Sequence, residues 1–544
     1  MVQMSMSSCK VSIYIQNVNI LLLFLAEIVI LCQFLRYSSV NGNNQNNRNT
    51  EAERHLFNRI LKYTGVFGGV QGISMLVTLI LTKVKSVLLG PVGYGITENL
   101  NRSADLIRNS TNLGLATVAV PEISRGTNET GESVLQDKIM LTRSWALLTA
   151  IIGMIVCVAL APLLSRWAFG GDRSYTFSFV VLSMAVAAAA VTGGETAVLR
   201  GTGMLRQIAL SQLFIGVVSL CVSVPLYWFL RFDGIVPALV LSSLGSTGVT
   251  CFYSCRRFPY KVHPFRWSLL REGTGMIGFG LFFTVAAFLS AWAWSFIARY
   301  LTEQGGTELT GSYSAGYMLV TYLTTLLLSV TDSEYYPRLS AAGDDMDEAH
   351  RIMNNQVLAM CMLAAPLVIL FMLCVPIVVL IVLEYEKFQA SIVLAQMAVV
   401  GLFFKSVYQP ISYLVLARSD SKIYVIQEVA CYILLIISVV LGYRSAGIIG
   451  LGVSLAVWEL LYLVMVLVIS RVRYGFRMTS SVVSNFLIQG VLVILTAACV
   501  LMGSRIWQIC SIVLCVASMS LSLRFFLTHT TFLSVISSKL FRKS

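Results

Sequence analysis

Four ionisable side chains in the stretch Ser86–Arg125 stand at helical spacing: Glu98, Arg102, Asp105 and Arg108. Asn99, Asn101, Asn109 and Asn112 are interleaved with them. This set has no nucleophile–base pair, so its chemistry is recognition rather than bond making. Guanidinium groups supply fixed positive charge, carboxylates oppose it or take up a proton, and amides offer paired donors and acceptors. At 100° per residue the polar side chains cover an arc of roughly 200°, with Ile96, Leu100, Ile107 and Val118 on the opposite side.

The segment reads in two ways. Either the polar face looks onto a bound group, or Glu98–Arg102 and Arg102–Asp105–Arg108 neutralise one another along the helix. Gly/Pro turns bound it, Leu89-Gly90-Pro91 at one end and Pro121 at the other, with apolar spans on both sides. A central Arg or Asp costs about 2.5–3.5 kcal/mol on insertion, while each Leu or Ile returns only about 0.3–0.6. Such a helix crosses a bilayer only when its polar face borders an enclosed, hydrated space. The rival placement is an amphipathic helix lying on the membrane surface.

The surrounding composition favours crossing. Of 544 residues, 57% are hydrophobic and 12% charged, and apolar runs of helix length recur throughout, which defines a polytopic helical membrane protein. The net charge of +13 follows from basic cytoplasmic loops and calls for no nucleic acid. Cys251 and Cys255 lack a nearby His pair, and the four histidines are scattered, so no metal or catalytic cluster is expected. A phosphate-binding P-loop is missing from the sequence as well.

Apolar periodicity predicts core helices over 60–82, 93–118, 141–166, 175–198, 206–230, 235–255, 275–298, 311–336, 356–383, 390–416, 423–442, 446–470, 480–502 and 506–527. With 93–118 counted as a crossing, Arg200, Arg206, Arg256, Arg257, Lys261, Arg266, Arg271, Arg471, Arg473 and Arg477 share one side, a positive-inside pattern. Leaving that segment out strands Arg48, Arg54, Arg59 and Lys62 on the wrong side. Residues 12–35 form a further apolar run before an Asn-rich linker; it reads as an extra membrane helix, a signal-like segment or a separable extension.

An internal repeat sharpens the picture. Gly93-Tyr94 is echoed by Gly316-Tyr317, Pro121-Glu122-Ile123-Ser124 by Pro337-Arg338-Leu339-Ser340, and Val198-Leu199 by Val415-Leu416, in the same order and at nearly constant displacement. The expected organisation is an N-terminal extension (1–57), a six-helix bundle (58–257), a basic cytoplasmic linker (258–274), a second six-helix bundle (275–475) and two further helices with a basic tail (476–544).

Two six-helix bundles, the Leu89-Gly90-Pro91…Gly93-Tyr94-Gly95 turn, the Leu199-Arg200-Gly201-Thr202-Gly203-Met204-Leu205-Arg206 turn and the Tyr336–Ser340 exit resemble the polysaccharide flippases of the multidrug/oligosaccharidyl-lipid/polysaccharide exporter superfamily, in particular the Wzx-like O-antigen translocases. The resemblance covers about residues 58–527. It implies an all-α, MATE-like membrane fold and a transporter rather than an enzyme. The implied cargo is an undecaprenyl-diphosphate-linked oligosaccharide, moved across the bacterial inner membrane by alternating access. It further implies membrane lipids as surroundings, and polysaccharide polymerase and chain-length proteins as partners. No cofactor is expected; an H+ or Na+ gradient, or the membrane potential, is the expected driving force. The alternative is a cation-coupled multidrug exporter of the same superfamily, for which a hydrophobic cavity with an isolated acid would speak.

A diphosphate needs fixed positive charge and sugars need amides, hydroxyls and ring faces. Arg102 and Arg108 are therefore the head-group candidates, with Asn101, Asn109 and Asn112 for the glycan. In the second bundle Lys405 lies mid-span with Gln409 on the same face; substrate contact and a structural ion pair are both open for it. Glu459 is central in its own span and suited to hold Lys405 or bind a proton. Asp105, Glu98, Glu195, Glu459 and Asp332 are the coupling or gating candidates. Trp292 and Trp294 read as bundle packing.

Overall fold

The computed structural model describes residues 50–128, 132–262, 271, 273–330, 335–342, 345–418 and 420–529. The apolar run 12–35 and the candidate Asp332 lie outside them. Every element is helical apart from turns, and the described residues contain no strand. In chain order the helices are α1 (Thr50–Thr111), α2 (Leu115–Asn128), α3 (Glu132–Ala168), α4 (Thr176–Gly201), α5 (Leu205–Leu230), α6 (Ile235–Cys255), α7 (Thr274–Val330), α8 (Tyr336–Ala341), α9 (Met346–Val382), α10 (Gln389–Ala398), α11 (Val400–Ala417), α12 (Ser421–Tyr474), α13 (Ser480–Met502) and α14 (Arg505–His529).

Nine helical stretches among the described residues are long and apolar enough to cross a membrane. Two of them, Arg206–Cys255 and Lys422–Tyr474, run to 50 and 53 residues, enough for two crossings each. Both are hairpins. In the first, Ser223 and Ser242 meet at 3.3 Å across the turn at Arg231–Gly234. In the second, the Trp458 indole donates to Cys431 O at 3.0 Å across the break at Ala446-Gly447. Helix α7 also folds back on itself, at Gly305-Gly306, bringing the Thr302 and Thr310 hydroxyls to 2.8 Å.

A repeat is written in the backbone at a displacement of 216 residues, which the Pro121–Pro337 echo shares, the Val198–Val415 echo misses by one and the Gly93–Gly316 echo misses by seven. Gly90 (φ 64°, ψ −169°) breaks α1 and Gly306 (φ 69°, ψ −175°) breaks α7 in nearly the same conformation. Arg231 (54°, −122°) matches Gly447 (56°, −133°), and Met204 (−79°, 57°) before α5 matches Asp420 (−80°, 74°) before α12. Each pair is 216 residues apart. The glycines are required where φ is positive, because a Cβ crowds the backbone there. The same displacement relates Gly95 to Gly311, whose helices touch backbone to backbone. A Cβ on Gly95 would lie 1.8 Å from Thr307 O, and one on Gly311 would lie 1.9 Å from Pro91 O.

Among the described residues, those up to Ser314 together with Ile381–Lys387 form one compact unit; Ala315–Leu380 and those from Phe388 onward form the other. In the first unit Leu100 and Ile107 pack with Leu164, Phe179, Leu182, Tyr227 and Ile235. A second cluster joins Leu115 and Ile123 to Ala146, Ala197 and Val198. In the second unit Met353, Cys361, Val407, Leu435 and Val466 are fully buried. Outward-facing Leu76, Ile155, Leu163, Leu441, Val468, Leu487 and Val513 provide the apolar exterior that lipid requires.

Helix boundaries depart from the periodicity in one place that matters. The expected helix 93–118 is interrupted: α1 stops at Thr111 and α2 starts at Leu115, with Leu113 (φ 52°) and Gly114 (φ 63°) left-handed between them. Gly114 sits against the backbone of Gly280, where a Cβ would lie 2.7 Å from Gly280 O. A left-handed glycine packed closely against α7, not a proline, ends the helix. At its other end the first arm of α1 continues to Leu89, so Lys83 and Lys85 belong to a helix rather than a loop.

Candidate functional site

The polar helix is a built-in member of its bundle. Ile96, Leu100 and Ile107 are buried in the first unit's core, as is Val118 beyond the break. This placement makes it a packed helix of the first unit. The opposite face of the second arm of α1 carries the charges. Glu98 Oε1 accepts from Arg102 Nε at 2.7 Å. One turn on, Asp105 Oδ1 pairs with Arg108 Nη2 at 2.9 Å. The two pairs differ in openness: Arg108 and Asp105 keep 40% and 39% of their side-chain surface, Arg102 and Glu98 only 30% and 18%.

Arg102 also meets the Trp294 ring, its guanidinium carbon 5.2 Å from the ring centroid. Trp294, read from sequence as bundle packing rather than a sugar platform, thus also lies against a charged group. Asn101 and Asn109 are half-buried on the same side. Asn112 sits at the break, its amide N–H bonded to Arg108 O and its carbonyl accepting from Leu115, while its side-chain oxygen is buried without a partner. Asn99 departs from the polar face. It is buried, donating to Ala168 O at 3.1 Å and to Thr302 Oγ1 at 2.8 Å, where it caps the last turn of α3.

In the second unit Lys405 and Glu459 come together from α11 and α12, Nζ to Oε1 at 3.7 Å. The other carboxylate oxygen accepts from the Tyr408 hydroxyl at 2.6 Å. Gly401 makes room for this, since a Cβ there would lie 2.9 Å from Glu459 Cγ. Lys405 keeps 28% of its side-chain surface and Glu459 only 9%. Gln409, one turn below Lys405, donates to the Tyr413 hydroxyl at 3.0 Å.

Glu195 belongs to a different kind of site. Its carboxylate is gripped by Arg143 through Nε at 2.8 Å and Nη2 at 3.0 Å, with both side chains 1% exposed. Arg143 also donates to Pro259 O at 2.8 Å, Phe258 O at 3.2 Å and Ser254 Oγ at 3.1 Å. The guanidinium faces the Tyr260 ring at 5.0 Å. Burial, and next the Glu195 carboxylate, push the Tyr260 phenol up to about 12. The pair thus fastens the chain leaving α6 to α3 and α4. Sequence reading missed Arg143, although an arginine in one apolar span and the single glutamate of the next are a signal for such a pair. Tyr408 and Tyr413 carry no such signal. Among the described residues no cluster of three or more His, Cys, Asp or Glu could hold a metal ion.

A family model described as polysaccharide biosynthesis protein matches residues 141–392. A search of curated protein sequences finds no match. Among solved structures, the chain is similar to the lipid II flippase MurJ in an inward closed conformation. That likeness has a TM-score of 0.60 at 14% identity and covers 85% of this chain and 98% of MurJ. It is similar to an inward-facing multidrug resistance MATE family transporter of the MOP superfamily, with a TM-score of 0.58 at 13% identity and 75% and 97% coverage. A MOP superfamily transporter from Pyrococcus furiosus gives 0.55 at 14% identity, covering 75% of this chain and 93% of that one.

These likenesses define the class: a multi-pass membrane protein with the exporter-superfamily fold. Within that class, the family match bears out the resemblance to the polysaccharide flippases.

Proposed function

We propose that the chain is a flippase for an undecaprenyl-diphosphate-linked oligosaccharide, an O-antigen or related surface-polysaccharide repeat unit. It moves this cargo between leaflets of the bacterial inner membrane by alternating access. The observation that carries the reading is the second arm of α1, whose charged and amide-bearing face stays partly open while its apolar face is locked into the bundle. Arg108 is the better-placed head-group ligand, because its pairing with Asp105 is the more open of the two. Arg102, held by Glu98 and Trp294, keeps a fixed orientation toward an arriving anion. Asn101, Asn109 and Asn112 supply glycan hydrogen bonds.

Asp105 and Glu459 are the acids through which an H+ or Na+ gradient would act; Glu195 is committed to Arg143 and has a holding role. The membrane potential acting on anionic cargo is the competing drive. Polymerase and chain-length proteins are the natural consumers of the flipped product. Glu98, Asp105, Glu195 and Glu459 are each ion-paired, unlike the isolated acid that a drug exporter would call for.

The test is lipid-linked oligosaccharide in cells expressing wild type, Arg102→Ala or Arg108→Ala at matched protein levels. Build-up in the cytoplasmic leaflet with loss of surface glycan is expected, and more severely for Arg108→Ala. Normal export in both variants would leave the charges as a neutral structural ladder. Unchanged glycan after deletion of the protein, with no redundant transporter, would turn the reading to drug export.

A further inference from the structure

Helix α11 is buried on every side but one. Up to its final residue, only Lys405, Gln409, Ser412, Tyr413 and Leu416 keep part of their surface open. Their spacing of three to four residues places them on one strip of the helix.

The strip changes character along its length. It begins at the Lys405 ammonium group, faced by Glu459 at 3.7 Å and within electrostatic reach of Glu428. It continues through the Gln409 amide to the Tyr413 hydroxyl, 3.0 Å away. It ends on aromatic rings. Tyr413 meets Tyr336 edge to face at 5.7 Å and is tilted by 29° from Tyr335 at 6.2 Å. Tyr335 is buried and donates its hydroxyl to Pro410 O at 2.8 Å, which ties this ring group to α11. Tyr336 remains exposed and Tyr413 half-buried.

The arrangement suits one ligand chemistry. A sugar ring has an apolar C–H face and a rim of hydroxyls. Phenol rings accept the face, while amide, hydroxyl and charged groups take the rim. A diphosphate fits less well, because the one cation on the strip is already offset by carboxylate. The rise from Lys405 to Tyr413 is about 12 Å, room for about two sugar rings. We propose that Lys405, Gln409, Tyr413 and Tyr336 form a carbohydrate-binding track that holds the glycan part of the cargo. This rests on the flippase reading and adds to it that part of the glycan, and not its diphosphate, is held by the second unit.

The test uses the full-length protein in lipid nanodiscs with two probes: farnesyl diphosphate and the oligosaccharide-diphosphate lipid extracted from the expressing host. Tyr413→Ala and Tyr336→Ala are each expected to weaken binding of the oligosaccharide lipid roughly tenfold, the scale of one lost aromatic contact, and to leave farnesyl diphosphate unchanged. Tyr336→Phe and Tyr413→Phe, which keep the rings, should retain most of the affinity. Equal loss for both probes, or no loss in folded variants, overturns the track. Because Tyr336 is exposed, its variant decides the matter if Tyr413→Ala does not fold. Wild type that binds both probes equally overturns the track alone; wild type that binds neither overturns the flippase reading with it.

Discussion

The ladder on α1 and the Lys405–Glu459 pair both keep charge within apolar helices, but by opposite means. On α1 the partners are neighbours three or four residues apart, so the helix itself brings them together, and the pairs stay partly wet. Lys405 and Glu459 belong to different helices and need Gly401 and Tyr408 to shape their meeting place. A local pair can be lost with little disturbance to the fold, and is therefore free to be spent on a ligand. A non-local pair is part of the packing as well as the chemistry.

The sharpest break of that comparison lies at its non-local extreme, Arg143–Glu195. Removing one partner of a fully buried pair strands the other, so Glu195→Ala is expected to cost about 3–5 kcal/mol. Thermal unfolding in detergent should show it as a large drop in midpoint; a small drop would mean the site is wetter than its burial indicates. Glu459→Ala should cost less, about 2–3 kcal/mol, because Lys405 can turn toward water. Tyr408→Phe removes a single bond to a carboxylate and is expected to cost about 1.5 kcal/mol. Asp105→Asn should change stability by under about 1 kcal/mol, given how exposed the pair is, while still altering export. If it destabilises as much as Glu459→Ala, the distinction between local and non-local charge fails.

The smallest effect concerns the fastening at Tyr260. With its phenol raised from 10.0 to about 12, the docked ring stays neutral at pH values where a free one ionises. Its contribution is complete below about pH 10 and is lost as pH rises through about 12. Limited proteolysis just after Tyr260 should therefore quicken across that window and be flat in Tyr260→Phe.

Much of this molecule was legible in its sequence. Apolar runs of helix length fix a polytopic bundle, because backbone groups in lipid must be satisfied within each segment. The repeat was legible only in part: the Pro121–Pro337 echo lies at the backbone's displacement of 216 residues, the Val198–Val415 echo is one residue off, and the Gly93–Gly316 echo is seven off and pairs positions that do not correspond. The ladder Glu98–Arg102–Asp105–Arg108 was legible because its contacts are set by helical pitch.

What sequence could not supply was contact between helices. Trp294 beside Arg102, Tyr408 on Glu459, and Arg143 on Glu195 and the chain beyond α6 all join residues more than fifty positions apart. The break at Leu113-Gly114 was half-legible: a glycine is a common helix stop, but the backbone of Gly280 packed against it is seen only in the fold. Sequence determined which segments are long and apolar enough to cross a membrane and which faces are polar, since hydropathy and pitch are properties of one segment at a time. The tertiary structure alone decided which charges are spent on each other and which stay open, because that depends on what the neighbouring helix presents.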